Sequence, residues 1–255
     1  MSPAARETSD AYLERCLAVL EAFDARHREL TVGQLSDRSG LPTSTTYRLV
    51  TTLERMGLVE RREGYVSLGM RLFELGQVAA RRSTLRDVAL PYIADLRAAT
   101  RQTVHLAVLD GYEVVYLEIV RAEDGPVMPS RVGGRLPAWA TAVGKSLLAT
   151  MTVDEVDALL PDELTPVGPS TITDRDELHK HLARVRRNGI ALEEQESGRG
   201  IVCAASAVVG PDGRAVGAVS ASGWVRRMDL RRIAPAVHTC ALGISRQVGK
   251  VRLPN

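Results

Sequence analysis

The apolar period of this chain changes abruptly between Thr31 and Leu68, and few folds absorb such a change in so short a span. Thr31 can cap a short helix, Val32 to Ser39, with Val32 and Leu35 on its inner face. Gly40 takes the left-handed conformation that ends it, and Leu41-Pro42 turns the chain. A second helix runs from about Ser44 to Met56 with Leu49, Val50 and Leu53 as its apolar stripe, and Gly57 stops it. From Leu58 to Leu68 the pattern alternates around a charged turn containing Gly64, as a hairpin does. Upstream, Leu13, Cys16, Leu17, Leu20 and Phe23 recur at helical spacing and predict a helix from Asp10 to Arg28.

Three helices, a tight turn between the second and third, and a following hairpin describe a winged helix-turn-helix, whose third helix enters the DNA major groove. Charge position supports that reading where total charge does not. The chain holds 33 Lys+Arg against 31 Asp+Glu, a net of +2, and only Lys145, Lys180 and Lys250 are lysines. Residues 1–42 carry five Arg and seven Asp/Glu, whereas residues 43–86 carry eight Arg and four Glu. The basic excess therefore begins at the third helix. The candidate DNA-contacting residues are Thr43, Ser44, Thr45 and Thr46, Tyr47, Arg48, and Arg61 with Arg62 at the wing tip. Short hydroxyl side chains and helix N-terminal amides favour phosphate, and an arginine can grip a guanine edge. The bland alternative is a small three-helix bundle that contacts proteins. A later cluster, Arg226, Arg227, Arg231 and Arg232, reads as a solvated helix face.

The rest of the chain reads as an α+β domain. Thr103 to Leu109 and Val114 to Val120 flank Asp110-Gly111, and Cys203 to Val209 and Val216 to Ser222 flank Pro211-Asp212-Gly213. Helices are predicted at Pro91 to Thr100, Thr141 to Met151, from Thr152 (a capping box with Glu155), Asp174 to Asn188, and Leu230 to Val248. Leu136 to Met151 is the best membrane candidate, and Lys145 interrupts it; Met1 to Glu7 lacks the apolar stretch of a signal peptide. With 45% hydrophobic and 25% charged residues, the expectation is a cytoplasmic protein with reduced thiols at its three cysteines.

Several segments, taken in order, resemble IclR-type transcriptional regulators. They are Ser39 to Val59 with Gly64 to Gly69, Leu136 to Ala149, Ser170 to Thr173, Gly189 to Glu196, Gly200 to Ala205 and Gly217 to Gly223. The resemblance implies a winged helix-turn-helix over 9–69, a linker helix over 70–86, and a GAF-like effector-binding domain over 87–255 with a central antiparallel sheet flanked by helices. It also implies a homodimer, in the family often paired into tetramers, that binds a double-stranded DNA operator and responds to a small-molecule effector. Leu68, Met70, Leu72, Phe73, Leu75, Val78 and Ala79 give the linker an apolar surface too large for a solitary connector, while Arg71, Arg81, Arg82 and Arg86 would stay in water.

Carried over residue by residue, the family's effector site falls on Thr141, Ala142, Glu193, Cys203, Ser220 and Ser222, between the stretch Trp139 to Val143 and the strands at 203 and 220. The helix after Thr141 offers amides to a carboxylate, and Ser220 and Ser222 share one strand face, so an organic or aromatic acid is the expected effector class. The chain departs from the family with Trp139 where histidine is frequent, which makes the pocket more apolar or smaller, and with Glu193 where aspartate is frequent. A Glu193 facing the ligand makes a simple anionic acid less comfortable unless protons or amides compensate, so the ligand class stays open. Other chemistry is weakly signalled. Gly144-Lys145-Ser146 fails as a phosphate loop because Trp139 stands where the first glycine belongs. The five histidines have no metal-ligand spacing, so no metal or cofactor is expected. His105 reads as a satisfied core residue. No nucleophile–base–acid arrangement is visible, and no catalytic residue is assigned; an α+β enzyme using Cys203, or a protein-interaction module, are the alternatives.

Overall fold

The computed structural model describes residues 3–24, 26–78 and 80–250, with the backbone alone at 3–10 and 80–84. The chain divides between Ala79 and Ala80 into two compact units, each with its own core.

The N-terminal unit holds helices α1 (Pro3–Glu21), α2 (Val32–Ser39), α3 (Thr43–Arg55) and α4 (Met70–Gln77), and strands β1 (Glu29–Leu30), β2 (Val59–Arg62) and β3 (Tyr65–Leu68). The local signals act as expected. Thr31 and Gln34 form a reciprocal capping box at the start of α2, and Gly40 ends it with φ 68°. Glu63 (φ 51°) and Gly64 (φ 86°) make a two-residue turn that pairs Arg62 with Tyr65. The first helix differs from its predicted span of Asp10 to Arg28. It ends at Glu21 because the Asp24 carboxylate accepts the amides of Arg26 (2.8 Å) and His27 (2.9 Å), turning the chain. Val19 is buried on it, and Ala22 and Phe23 just beyond its end, whereas Leu13 is 63% and Leu17 53% exposed. The added strand β1 is too short to show a period; it exists through pairing with β3.

The second unit opens with α5 (Ala80–Thr100) and continues through β4 (Thr103–Asp110), β5 (Glu113–Val120), β6 (Arg135–Pro137), a 3-10 turn (Ala138–Ala140), α6 (Ala142–Leu148), α7 (Val153–Leu159), α8 (Arg175–Asn188), β7 (Ala191–Glu194), β8 (Ile201–Val209), β9 (Ala215–Trp224) and α9 (Leu230–Val248). The helical pattern after Gly69 is therefore two helices, Met70–Gln77 and Ala80–Thr100. Pro91 lies inside α5 rather than at a helix start; Asp87, whose carbonyl it deprives of a donor, is exposed to water, which makes the proline tolerable. Ala79 and the side chains of Arg81 and Arg82 lie outside the described residues.

Six strands form one antiparallel sheet in the order β6-β5-β4-β9-β8-β7. Side-chain alternation sorts its faces. Val104, Leu106, Val202, Ala204, Val219 and Ala221 share a core with Ala89 and Ile93 of α5 and Val237 and Ile244 of α9. Ala107, Tyr116, Cys203, Ala205 and Ala218 point the other way, into a core with Trp139, Val143 and Leu148. No helix of the described residues is long and apolar enough to cross a membrane.

Candidate functional site

The outer face of α3 presents Ser44, Tyr47, Arg48, Thr51 and Arg55 to solvent, with Thr45 half-buried. Two of the expected hydroxyl residues do other work. Thr46 is fully buried and donates to the Pro42 carbonyl (3.1 Å), so its side chain belongs to the core and not to a DNA face. Thr43 Oγ1 lies 3.1 Å from Ser36 Oγ, which donates to Leu41 O (2.7 Å), so the pair locks the turn between the helices. Arg61 also sits elsewhere than the hairpin pattern predicts. It lies across α3 and not at the wing tip, donating to Thr51 Oγ1 (3.0 Å), pairing with Glu54 (3.3 Å) and stacking its guanidinium 4.8 Å from the Tyr47 ring centroid. Arg62, 85% exposed beside the turn and 3.5 Å from the Glu60 carboxylate, is the wing arginine that faces water.

In the second unit, sheet order brings distant segments together. Register places Glu193 opposite Cys203, Cys203 opposite Ser222, and His105 opposite Ser220, so β7, β8, β9 and β4 form a continuous floor. Above it the 3-10 turn and α6 supply Thr141, Ala142 and Val143, and the β5–β6 segment supplies Met128, Pro129 and Ser130. All six expected effector residues line this one small cavity. Its volume is about 20 Å³, room for one water-sized group. A wider groove of about 480 Å³ opens near Arg214 and Glu155 and contains none of them.

The polar groups of the cavity are specifically arranged. Glu193 is 1% exposed; its Oε1 accepts from the amides of Glu196 and Ser197 (both 2.9 Å) and the Ser197 hydroxyl (3.0 Å), while Oε2 is buried without a partner. Cys203 Sγ donates to Ser222 Oγ (2.9 Å), and burial beside Glu193 pushes the thiol well above its ordinary range. A neutral thiol of that kind is a hydrogen-bond donor, not a poised nucleophile. His105 Nε2 lies 2.9 Å from Ser130 Oγ, and its Nδ1 lies 3.4 Å and 3.5 Å from the hydroxyls of Ser220 and Ser222. Burial, with Arg121 nearby, pulls the imidazole down to about 3, so it is neutral. Tyr116, whose ring centroid is 5.3 Å from that of His105, is pushed up by burial beside Cys203 and Glu193.

Trp139 does not line the cavity. Its indole donates to the Thr165 carbonyl (3.1 Å), so the departure from the family's histidine leaves the cavity wall to its neighbours. Lys145 is fully buried, donating to Glu196 Oε1 (2.5 Å) and Leu192 O (3.1 Å), which explains its place after Gly144 without any phosphate. Reading residues singly missed His105, Tyr116, Ser130 and Ser197 as cavity residues. The only signal for His105 was a polar residue on an apolar strand. No group of His, Cys, Asp and Glu among the described residues could hold a metal ion.

Known proteins match both parts of the chain. Residues 12–63 match the IclR helix-turn-helix domain, and residues 77–246 match the bacterial transcriptional regulator IclR C-terminal family. The HTH-type transcriptional regulator XynR of Escherichia coli is 34% identical over 243 residues, covering 93% of this chain and 96% of that protein. KdgR of the same organism is 32% identical over 241 residues, covering 92% and 91%. Among solved structures, an IclR homolog from Microbacterium hydrocarbonoxydans complexed with 4-hydroxybenzoate superposes with a TM-score of 0.85 at 31% identity, covering 94% of this chain and 100% of that one. The Thermotoga maritima IclR superposes with a TM-score of 0.77 at 29% identity, covering 96% and 99%.

Proposed function

This chain belongs to the IclR family of bacterial transcriptional regulators, with a DNA-binding helix-turn-helix and a ligand-binding C-terminal domain, and we propose that it reads an operator through α3 and Arg62 while its cavity senses a small hydroxy acid. The observation that carries the effector half is Glu193 Oε2, a buried oxygen on the wall of the cavity with no partner. A ligand satisfies it only with a hydrogen-bond donor, and a carboxylate there would meet like charge. The acid end therefore points the other way, towards His105, the hydroxyls of Ser220 and Ser222, and the first-turn amides of Ala142 and Val143, which have no partner within their own helix. The 4-hydroxybenzoate held by the Microbacterium relative has this polarity, a hydroxyl at one end and a carboxylate at the other.

On this reading Thr141, Ala142, Glu193, Cys203, Ser220 and Ser222 are effector contacts, and Ser44, Thr45, Tyr47 and Arg48 are operator contacts. The protein acts in the cytoplasm as a homodimer, and it regulates without catalysing a reaction. Exposed Tyr12, Leu13 and Leu17 on α1, and Met70, Phe73, Leu75 and Val78 on and after α4, supply the apolar surface for a second copy.

The test is fluorescence anisotropy of the DNA upstream of the gene, at two salt concentrations, with and without 4-hydroxybenzoate, benzoate and phenol. Affinity should fall steeply with salt, and the hydroxy acid should shift it more than either compound lacking one polar end. Salt-insensitive binding would overturn the operator reading, and equal responses to all three compounds would overturn the effector class.

A further inference from the structure

The β5–β6 segment, residues 121–134, crosses the cavity as a strap tied at both ends. On one side Ala122 N donates to Thr103 Oγ1 (3.0 Å), and the Trp224 indole donates to Asp124 O (3.1 Å). On the other, Gly133 N donates to Tyr116 O (2.8 Å) and Tyr116 N donates to Gly134 O (3.2 Å). Between these ties the strap is half in water: Val127 is 91% exposed, whereas Ser130 is 5% exposed and turned inward. Pro126 is also buried and Met128 packs on the core beneath, while Ser130 Oγ lies 2.9 Å from His105 Nε2 and the Ser130 carbonyl accepts from Arg121 (3.2 Å).

The surrounding hydroxyls favour one direction for the Ser130–His105 contact. Cys203 Sγ–H donates to Ser222 Oγ, leaving the Ser222 proton to point elsewhere, and Nδ1 of the neutral His105 faces the hydroxyls of Ser222 and Ser220. With Nδ1 accepting from one of these hydroxyls, Nε2–H is the donor and Ser130 Oγ the acceptor on a buried imidazole. The cavity beneath the strap, at about 20 Å³, is far smaller than any one-ring molecule, so one of its walls has to move for an effector to enter, and the strap is the wall that stands half in water.

We propose that Ser130 is a built-in stand-in for the effector: its hydroxyl holds the position on His105 Nε2 that an acceptor oxygen of the ligand takes when the strap lifts, which makes His105 a specificity-determining residue of the cavity. This rests on the effector reading above and extends it to residues outside the six expected ones. For the imidazole the exchange is one hydrogen bond broken and one made. Opening frees the ligand volume and the donor together, so the protein never leaves His105 buried and unpaired.

The buried Cys203 thiol, on the cavity floor, reports strap opening without any effector. In a Cys16→Ala/Cys240→Ala background, the rate of Cys203 modification by methyl methanethiosulfonate is followed by intact mass for the parent, Ser130→Ala and Ser130→Thr. Ser130→Ala should react about tenfold faster, the factor that loss of one ordinary hydrogen bond imposes on a local opening. Ser130→Thr, which keeps the hydroxyl, should react like the parent. Hydrogen exchange over residues 122–134 should rise in Ser130→Ala alone. Equal labelling and equal exchange in all three proteins would overturn the proposal. Faster labelling of Ser130→Ala, with no protection of the parent by 4-hydroxybenzoate, would instead overturn the effector class and leave the strap standing.

Discussion

Lys145 Nζ lies 2.5 Å from Glu196 Oε1, and the lysine side chain is 0% exposed. Burial pulls the amine down and the Glu196 carboxyl up, while each opposes the other's shift. Removing one partner should cost much more than replacing both. Lys145→Met should lose roughly 3–5 kcal/mol by leaving Glu196 uncompensated in the interior, and Lys145→Met with Glu196→Gln should recover most of it. Urea unfolding of the three proteins measures this, and equal losses in the single and double variants would contradict it.

Gly144 precedes that lysine for a packing reason. A Cβ there would sit 2.2 Å from the Ala138 carbonyl oxygen and 2.4 Å from Ala138 Cα, both backbone atoms that do not yield. Gly144→Ala should therefore lose at least the roughly 1–3 kcal/mol typical of an overpacked core. A thermal melt checks it, and a wild-type melting temperature would show that α6 can move away from the 3-10 turn.

His105 makes stability depend on pH with a definite sign. Its folded value, about 3, lies below its ordinary 6.5, so as pH falls below 6.5 the unfolded chain takes up a proton that the folded protein refuses. Stability is then lost at about 1.4 kcal/mol per pH unit between 6.5 and about 3. His181, lowered to about 4 by burial and Lys145, adds a slope of its own in the same direction. The comparison is thus between wild type and His105→Gln at pH 7 and pH 5: the variant should lose distinctly less stability on acidification.

Arg48, Arg61 and Arg62 should separate by role. Arg48→Ala should weaken operator binding by ~1–3 kcal/mol and relax sequence preference, whereas Arg62→Ala should weaken all sequences alike and reduce the salt slope by about one. Arg61→Ala should act through Tyr47, Thr51 and Glu54, loosening the hairpin against α3 before it alters any phosphate contact. Anisotropy titrations at several salt concentrations distinguish the three.

Phe73, 62% exposed on α4, tests the second copy. Phe73→Glu should shift the sedimentation coefficient towards the monomer and lower operator affinity, since one half-site no longer tethers the other. An unchanged sedimentation profile would place the dimer interface elsewhere.

What the sequence determined by itself is the set of features decided within a few residues. Thr31, Thr152 and Asp174 cap helices because their side chains reach amides three residues on, and Gly40, Gly64 and Gly189 end elements because only glycine takes positive φ cheaply. The motif resemblance added six effector positions, and the fold brought all of them to one cavity. Sequence order did not reveal which strands are neighbours: β9 runs between β4 and β8, and that alone sets Ser220 and Ser222 between His105 and Cys203. Nor did it reveal β1, β6 and β7, strands of two to four residues whose pairing comes from their partners. Leu13 and Leu17 share a helical period with Leu20, yet they face water, because burial depends on what lies opposite and periodicity records only which residues share a face. Ser130, in a segment without period, reaches His105 only because the strap is tied at both ends. Contacts that long-range packing creates leave no trace in local spacing.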